Sequence, residues 1–260
     1  MKRRNQNREP MAISEAELTV LTNDLEDLHQ DVGMPAMRAA LDKWTDEIRT
    51  SRRGFLLGAG AVVGGVVLAA CSTSSSPATT TVGSGSSGST SAKLTGDLAV
   101  AALATSLENL AVAAYGDVLT AATAGKLGTV PPAVGNFVAT VKAQHAQHAA
   151  AWNSAITAAG HPAVTGPDQA LVPTVDKAFA KVTDVTGAAK LALTLEDIAA
   201  ATYQSAISAV SAKSSIQVAA SIQPVEMQHA AVLLFVLGEY PVPDAFSPVT
   251  GARTLADYTG

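Results

Sequence analysis

The chain has 260 residues, of which 48% are hydrophobic, 4% aromatic and 15% charged, and its net charge is −5. The hydrophobic excess is mostly alanine, which favours helices and close small-residue contacts over a β-rich core, so an all-α domain is expected. After Cys71 eight Lys or Arg stand against twelve Asp or Glu, a balance of −4 that excludes the basic face a nucleic-acid binder needs.

Residues 1–50 hold seven basic and ten acidic side chains and space Leu18, Leu21, Leu25 and Leu28 as on a helix. They read as a cytoplasmic helical extension or an over-long start, Met11, Met34 and Met37 being alternative starts. No activity is assigned to them, and His29 falls in this part. The run Ser51-Arg52-Arg53-Gly54-Phe55-Leu56-Leu57, the apolar stretch to Ala70 and the ending Leu68-Ala69-Ala70-Cys71 resemble a twin-arginine export signal closed by a lipobox. Paired positive charges stay on the cytoplasmic side, and 54–70 is a little short for a comfortable membrane span. The resemblance implies cleavage before Cys71, lipid on its thiol, and an extracytoplasmic domain anchored to the cell membrane. A short transmembrane anchor with an unrelated cysteine is the alternative, and it too leaves the C-terminal domain outside. Export of this kind carries folded passengers, which suits a domain that takes up metal before leaving the cytoplasm. Residues 72–92, all Ser, Thr, Gly, Pro and Ala but for one valine, cannot build a core and read as a tether spanning roughly 25 Å.

Residues 93–245 read as one helical domain, followed by a tail over 246–260. Four alanine-rich helices are expected at about 94–124, 132–159, 184–212 and 214–237. Gly-containing stops fall at 125–132, at Gly160-His161-Pro162 and at 238–243, and Ser214 or Ser215 is the expected cap of the fourth helix. The gap 160–183 is the longest and contains a short amphipathic piece near 174–182, as a crossover running the length of a bundle would. Pro224, inside the fourth helix, is expected to kink or break it. Leu107-Glu108-Asn109-Leu110 with Tyr115 echoes Leu195-Glu196-Asp197-Ile198 with Tyr203, and Gln147-His148-Ala149-Ala150 echoes Gln228-His229-Ala230-Ala231. Two echoes in one order suggest a duplicated helix pair.

At 100° per residue Glu108 shares its face with Ala101, Ala104, Thr105, Ala111, Val112 and Tyr115, and Glu196 with Ala189, Ala192, Leu193, Ala199, Ala200 and Tyr203. Both carboxylates therefore belong on buried faces with no Lys or Arg within a turn. A buried ionised carboxylate costs several kcal/mol unless paired, protonated or bound to a metal, so two facing one core need a shared counter-charge. Glu226 and His229 share a face in the fourth helix, which sets a carboxylate and an imidazole toward one cation.

One Glu from each of two helices with Glu-x-x-His from the others resembles the di-iron carboxylate pattern of ferritin-like proteins. The resemblance covers about 145 residues and implies an antiparallel four-helix bundle with a long crossover between its second and third helices. It assigns Glu108 and Glu196 to terminal carboxylates, Glu226 to a bridging one, and His148 and His229 to imidazole ligands; Tyr115 and Tyr203 flank the centre. The sequence departs from the pattern where a second bridging Glu should stand and has His145. A neutral imidazole cancels no charge, so three carboxylates would face the four positive charges of two ferrous ions, and a single metal or an asymmetric pair is as consistent with the residues. Imidazole plus carboxylate without thiolate suits iron, mono- or dinuclear, and also manganese or zinc.

A hydroxyl on Tyr115 or Tyr203 would find a ligand carboxylate as acceptor, and His161 belongs to a loop. No Gly-x-Ser-x-Gly element or phosphate-binding glycine loop occurs. Two functions follow: ferrous oxidation, or reaction with peroxide or oxygen, at the cell surface; or a non-catalytic envelope lipoprotein with a degenerate site that binds a partner. Self-association into a homo-oligomer stays open, and nothing specifies an iron-storing cage.

Overall fold

The computed structural model describes residues 13–67 and 94–258, with backbone alone over 52–67. Cys71 with its lipobox and the 72–92 tether lie outside the described residues. The described residues are helical, without strand.

Five helices follow the tether: α3 Asp97–Thr123, α4 Pro132–Ala158, the short α5 Val172–Phe179, α6 Val185–Ala209 and α7 Lys213–Val236. Three of the four long ones end where glycine lets the chain turn left-handed. Gly125, Gly160 and Gly238 have φ of 71°, 78° and 74°. At each end the next residue closes a Schellman pair, as in Lys126 N–H to Ala121 O at 2.9 Å and Glu239 N–H to Leu234 O at 2.8 Å. His161 is the third such residue, donating its N–H to Ile156 O at 3.2 Å. α4 opens on Pro131-Pro132, and Asp184 caps α6 through the Gly187 N–H.

One local expectation is corrected, and of the two offered for Pro224 the break is excluded. Neither Ser214 nor Ser215 caps α7: its N-cap is Ala212 and has no side-chain cap, Ser215 Oγ donates to Asp97 and to Ala212 O, and Ser214 Oγ donates to Glu47. Asp97 accepts from the Ser211 and Ala212 N–H groups, so a carboxylate at the start of α3 holds the α6–α7 turn. α7 is also not broken at Pro224, running as one helix from Lys213 to Val236.

α3 pairs with α4, α6 with α7, and α3 meets α6, giving the antiparallel bundle. The connection between α4 and α6 carries α5, whose Val175 packs with Leu110, Ala114 and Leu195. It is pinned by Asn109 and Asn153, both donating to Val164 O, and by Asp168, which receives Arg253 from the tail. These layers enclose α3, so every residue from Val100 to Glu108 is buried. α3 is long and apolar enough to cross a membrane by length and composition, but it is a core helix, mostly buried within the protein.

The fourth side of the bundle is built differently. α4 and α7 scarcely approach each other; between them lies a rod made of α1 Glu15–Leu28, a π-helical turn His29–Gly33 and α2 Met34–Val67. Both junctions keep right-handed helical backbone, so the three pieces run on as one. Ser14 and Glu17 form a capping box at its start. Its buried stripe is Leu18, Thr22, Leu25 and His29, then Met34, Met37, Leu41 and Trp44. The π turn inserts one residue between the two runs and keeps the stripe on the bundle. Leu28, grouped with the leucines in the sequence, is half exposed.

Candidate metal centre

Glu108 on α3, His145 and His148 on α4, Glu196 on α6, and Glu226 and His229 on α7 meet at the middle of the bundle, each at most 2% exposed. All six side chains that the sequence singled out as ligands are brought together. Their ligand atoms fall into two quartets, Glu108, His145, His148 and Glu226, and His145, Glu196, Glu226 and His229; within each quartet all lie within 4.8 Å of one another. Glu226 and His145 belong to both.

His145 stands between the outer carboxylates. Its Nδ1 is 2.7 Å from Glu108 Oε2 and its Nε2 is 3.2 Å from Glu196 Oε1. His229 Nδ1 is 3.2 Å from Glu196 Oε2, and its Nε2 is 2.7 Å from the Gln144 side-chain oxygen. Tyr115 donates to Glu196 and Tyr203 to Glu108, each reaching a carboxylate from the other half of the chain. Trp152 donates to Tyr203 in turn, at 2.8 Å.

Charge follows from this crowding. Burial drives the Glu108 carboxyl upward, but His148 and His145 beside it outweigh that and hold it at about 2. Glu196 is held well below the usual carboxylate range, burial being overcome by His145 and His229. Burial likewise opposes charge on the imidazoles, yet the glutamates win: His148 rises to about 9, through Glu108 first, while His145 and His229 rise through Glu226 and Glu196. Burial and the adjacent carboxylates push both tyrosines well above 10. The tyrosines therefore donate to the glutamates as neutral phenols.

One part of the cluster is not satisfied by its own members. Both oxygens of Glu226 and both ring nitrogens of His148 are buried without a hydrogen bond, although His148 Nδ1 lies 3.1 Å from Glu226 Oε1. The contacts these atoms do make include ion pairs, His148 Nδ1 to Glu226 Oε1 and His229 Nδ1 to Glu226 Oε2 at 3.5 Å, while His148 Nε2 has no hydrogen-bond partner among the described residues. The four atoms have the chemistry of cation ligands, and together with the other four residues they fit one or two divalent ions.

Sequence reasoning missed a second layer. Gln144 joins His229 to Glu26 of the rod, donating to Glu26 Oε2 at 2.7 Å. His29 lies edge-on to His148, ring centroids 5.2 Å apart, with its Nε2 3.1 Å from Gln147 Oε1. Burial, and then the positive charge of His148, depress His29 to about 4. Gln144-His145 precedes Gln147-His148 at helical spacing, and that doubling was the one signal for Gln144; nothing placed His29 near α4. On the far side a cavity of about 20 Å³ adjoins Glu108 and His145, lined by Leu107, Leu110, Leu171 and Leu195.

No curated protein and no solved structure matches the chain. A family model described as the ferritin-like domain matches residues 96–239, from the start of α3 to just past α7. That is more than half of the chain and contains every residue of the Glu/His cluster, so the protein belongs to the ferritin-like domain family.

Proposed function

We propose that the bundle is a metal-dependent redox domain that oxidises ferrous iron or consumes peroxide or oxygen, held at the outer face of the cell membrane by lipid on Cys71. The observation that carries the reading is the set of unmatched atoms on Glu226 and His148. A glutamate–histidine network kept only as scaffold would close on itself, whereas this one leaves Glu226 and His148, in the quartet with Glu108 and His145, without well-formed hydrogen bonds.

Glu108 with His148, and Glu196 with His229, would hold the outer positions, with Glu226 within reach of both and His145 offering its one lone pair to either. When bound, a redox-active ion would supply the electron exchange. The protein excludes bulk water, fixes the two outer carboxylates through Tyr203 and Tyr115, and fixes the His229 ring through Gln144. The cavity beside Glu108 and His145 has room for one water-sized molecule, which favours a small oxidant over an organic substrate.

The test is metal analysis of the purified full chain. About one or two iron or manganese ions per chain, lost in Glu196→Ala with Glu226→Ala, are the expected result, whereas zinc alone supports metal binding and overturns the redox role. A chain that stays metal-free and inert toward ferrous ion supports the second reading, a non-catalytic envelope lipoprotein. That reading is favoured by His145, whose two ring nitrogens contact Glu108 and Glu196 where the family pattern has a carboxylate.

A further inference from the structure

We propose that residues 15–48 are a removable cover. They seat in the groove between α4 and α7, over the flank of the metal centre, while the export leader is attached, and they leave with it. The inference rests on the proposed metal centre and on cleavage at Cys71.

The groove is one helix wide, and its occupant is matched to it along its whole length. At one end Leu18 and Leu25 pack with Phe137, Val141 and Val232; at the other Met34, Met37 and Trp44 pack with Trp152, Val218 and Ile222. At the level of the metal centre the contact turns polar on both sides. There Glu26, His29 and Gln30 meet Gln144, Gln147 and His148, and the π turn lies at this crossing. A stray helix would not place its only irregular turn and its polar side chains where the bundle interrupts its own apolar face. Residues 18–48 reach about 45 Å at helical rise, enough to span bundle helices of about 36–40 Å from end to end. From Arg49 to Ser51 the rod is exposed, and its backbone runs on as helix through Arg52 and Arg53 to Val67.

The topology then decides what the cover is for. A segment upstream of a twin-arginine signal stays inside, and the domain downstream of Cys71 goes outside, so rod and bundle share one compartment only before export. Seated, the rod buries the His148 and Gln144 side of the centre; removed, it leaves that side open to ions and oxidant.

The experiment uses the full chain with a protease site placed in the 72–92 tether and cut after folding. The two pieces should co-elute in gel filtration. With Met37→Asp and Leu41→Asp they should separate, the bundle keeping its helical circular dichroism and taking up cobalt(II), followed by its visible absorption, at least tenfold faster. His29→Ala, milder, should speed uptake in the uncut chain while leaving helicity unchanged. Collapse of the bundle once the rod departs, or uptake at the same rate with and without it, overturns the proposal. So does a membrane-derived protein whose mass retains residues 1–70, whereas a mass that begins at Cys71 supports it. Seating is also read without metal, as hydrogen-exchange protection of Trp152 and Val218 that is lost on separation. Protection lost on separation with no cobalt bound in any form would therefore sink the metal reading while leaving the seating supported.

Discussion

His145 faces Glu108 with one ring nitrogen and Glu196 with the other, so in the metal-free cluster it acts as the counter-charge between two carboxylates. Replacing it by glutamate adds a fourth carboxylate that could bridge two ions. His145→Glu is expected to raise bound metal to two ions per chain, measured by mass spectrometry under native conditions; unchanged stoichiometry would count against His145 as the limiting ligand. Protons compete with metal on the same atoms. His148 must give up a proton held to about 9, and His145 and His229 have raised affinities as well, so metal affinity should climb between about pH 6 and 9 with protons released. Calorimetry in buffers of different ionisation heat reads that release, and a pH-independent affinity would contradict it. The metal-free fold has the opposite preference. Stability from His148, whose pKa is raised, is complete below 6.5 and lost as pH rises through about 9. Stability from Glu108, whose pKa is depressed, is complete above 4.5 and lost as pH falls toward 2. Thermal melts of the metal-free chain should therefore peak between about pH 4.5 and 6.5. Glu108 and Glu196 were legible in sequence because a carboxylate on an alanine face has few other uses, Glu226, His148 and His229 through spacing and likeness to the ferritin-like pattern, and His145 as the departure from it. His29 was not, because its partner lies over a hundred residues away and no periodicity links them.

At the scale of elements, helix ends were legible where glycine or proline writes them. The stops at Gly125, Gly160 and Gly238 are backbone requirements that any sequence must meet with a residue tolerant of positive φ. Nothing lies within 4 Å of a side chain added at Gly125, so Gly125→Ala isolates the backbone cost. It should lower stability by about 1 kcal/mol in a denaturant melt, and an unchanged midpoint would contradict the left-handed cap. One end was misread because a tertiary partner replaced a local one: Asp97 holds the turn that Ser214 or Ser215 was expected to cap, while α7 runs through an exposed Pro224 over its expected span. The rod was half legible. Leu18 and Leu25 mark its stripe, but the extra residue of the π turn breaks the spacing before Met34, Met37, Leu41 and Trp44 resume it. Trp44 packs edge-on against Trp152 at 5.9 Å between ring centroids. Trp44→Ala should cost roughly 3 kcal/mol or more if the rod is seated in solution, as for other buried tryptophans. A near-neutral result would mean the rod is undocked.

The described residues form a helical bundle with a buried Glu/His cluster at its centre, with α5 and the tail on one flank and the N-terminal rod on another. Its architecture was legible because four long segments, three short stops and one long crossover admit few arrangements. The rod's place was not, because the proposed export signal and the 72–92 stretch separate it from the bundle in sequence and, on the proposed pathway, in space. The family match extends from α3 to α7 and omits the rod, consistent with a domain complete without it. The central claim is that Glu108, His145, His148, Glu196, Glu226 and His229 share a cation. Isothermal titration of the metal-free full chain with ferrous ion under anaerobic conditions tests it most directly. Saturation at one or two ions per chain, abolished by Glu226→Ala with helicity retained, is the predicted result; no binding heat, or binding unaffected by loss of Glu226, would contradict the account.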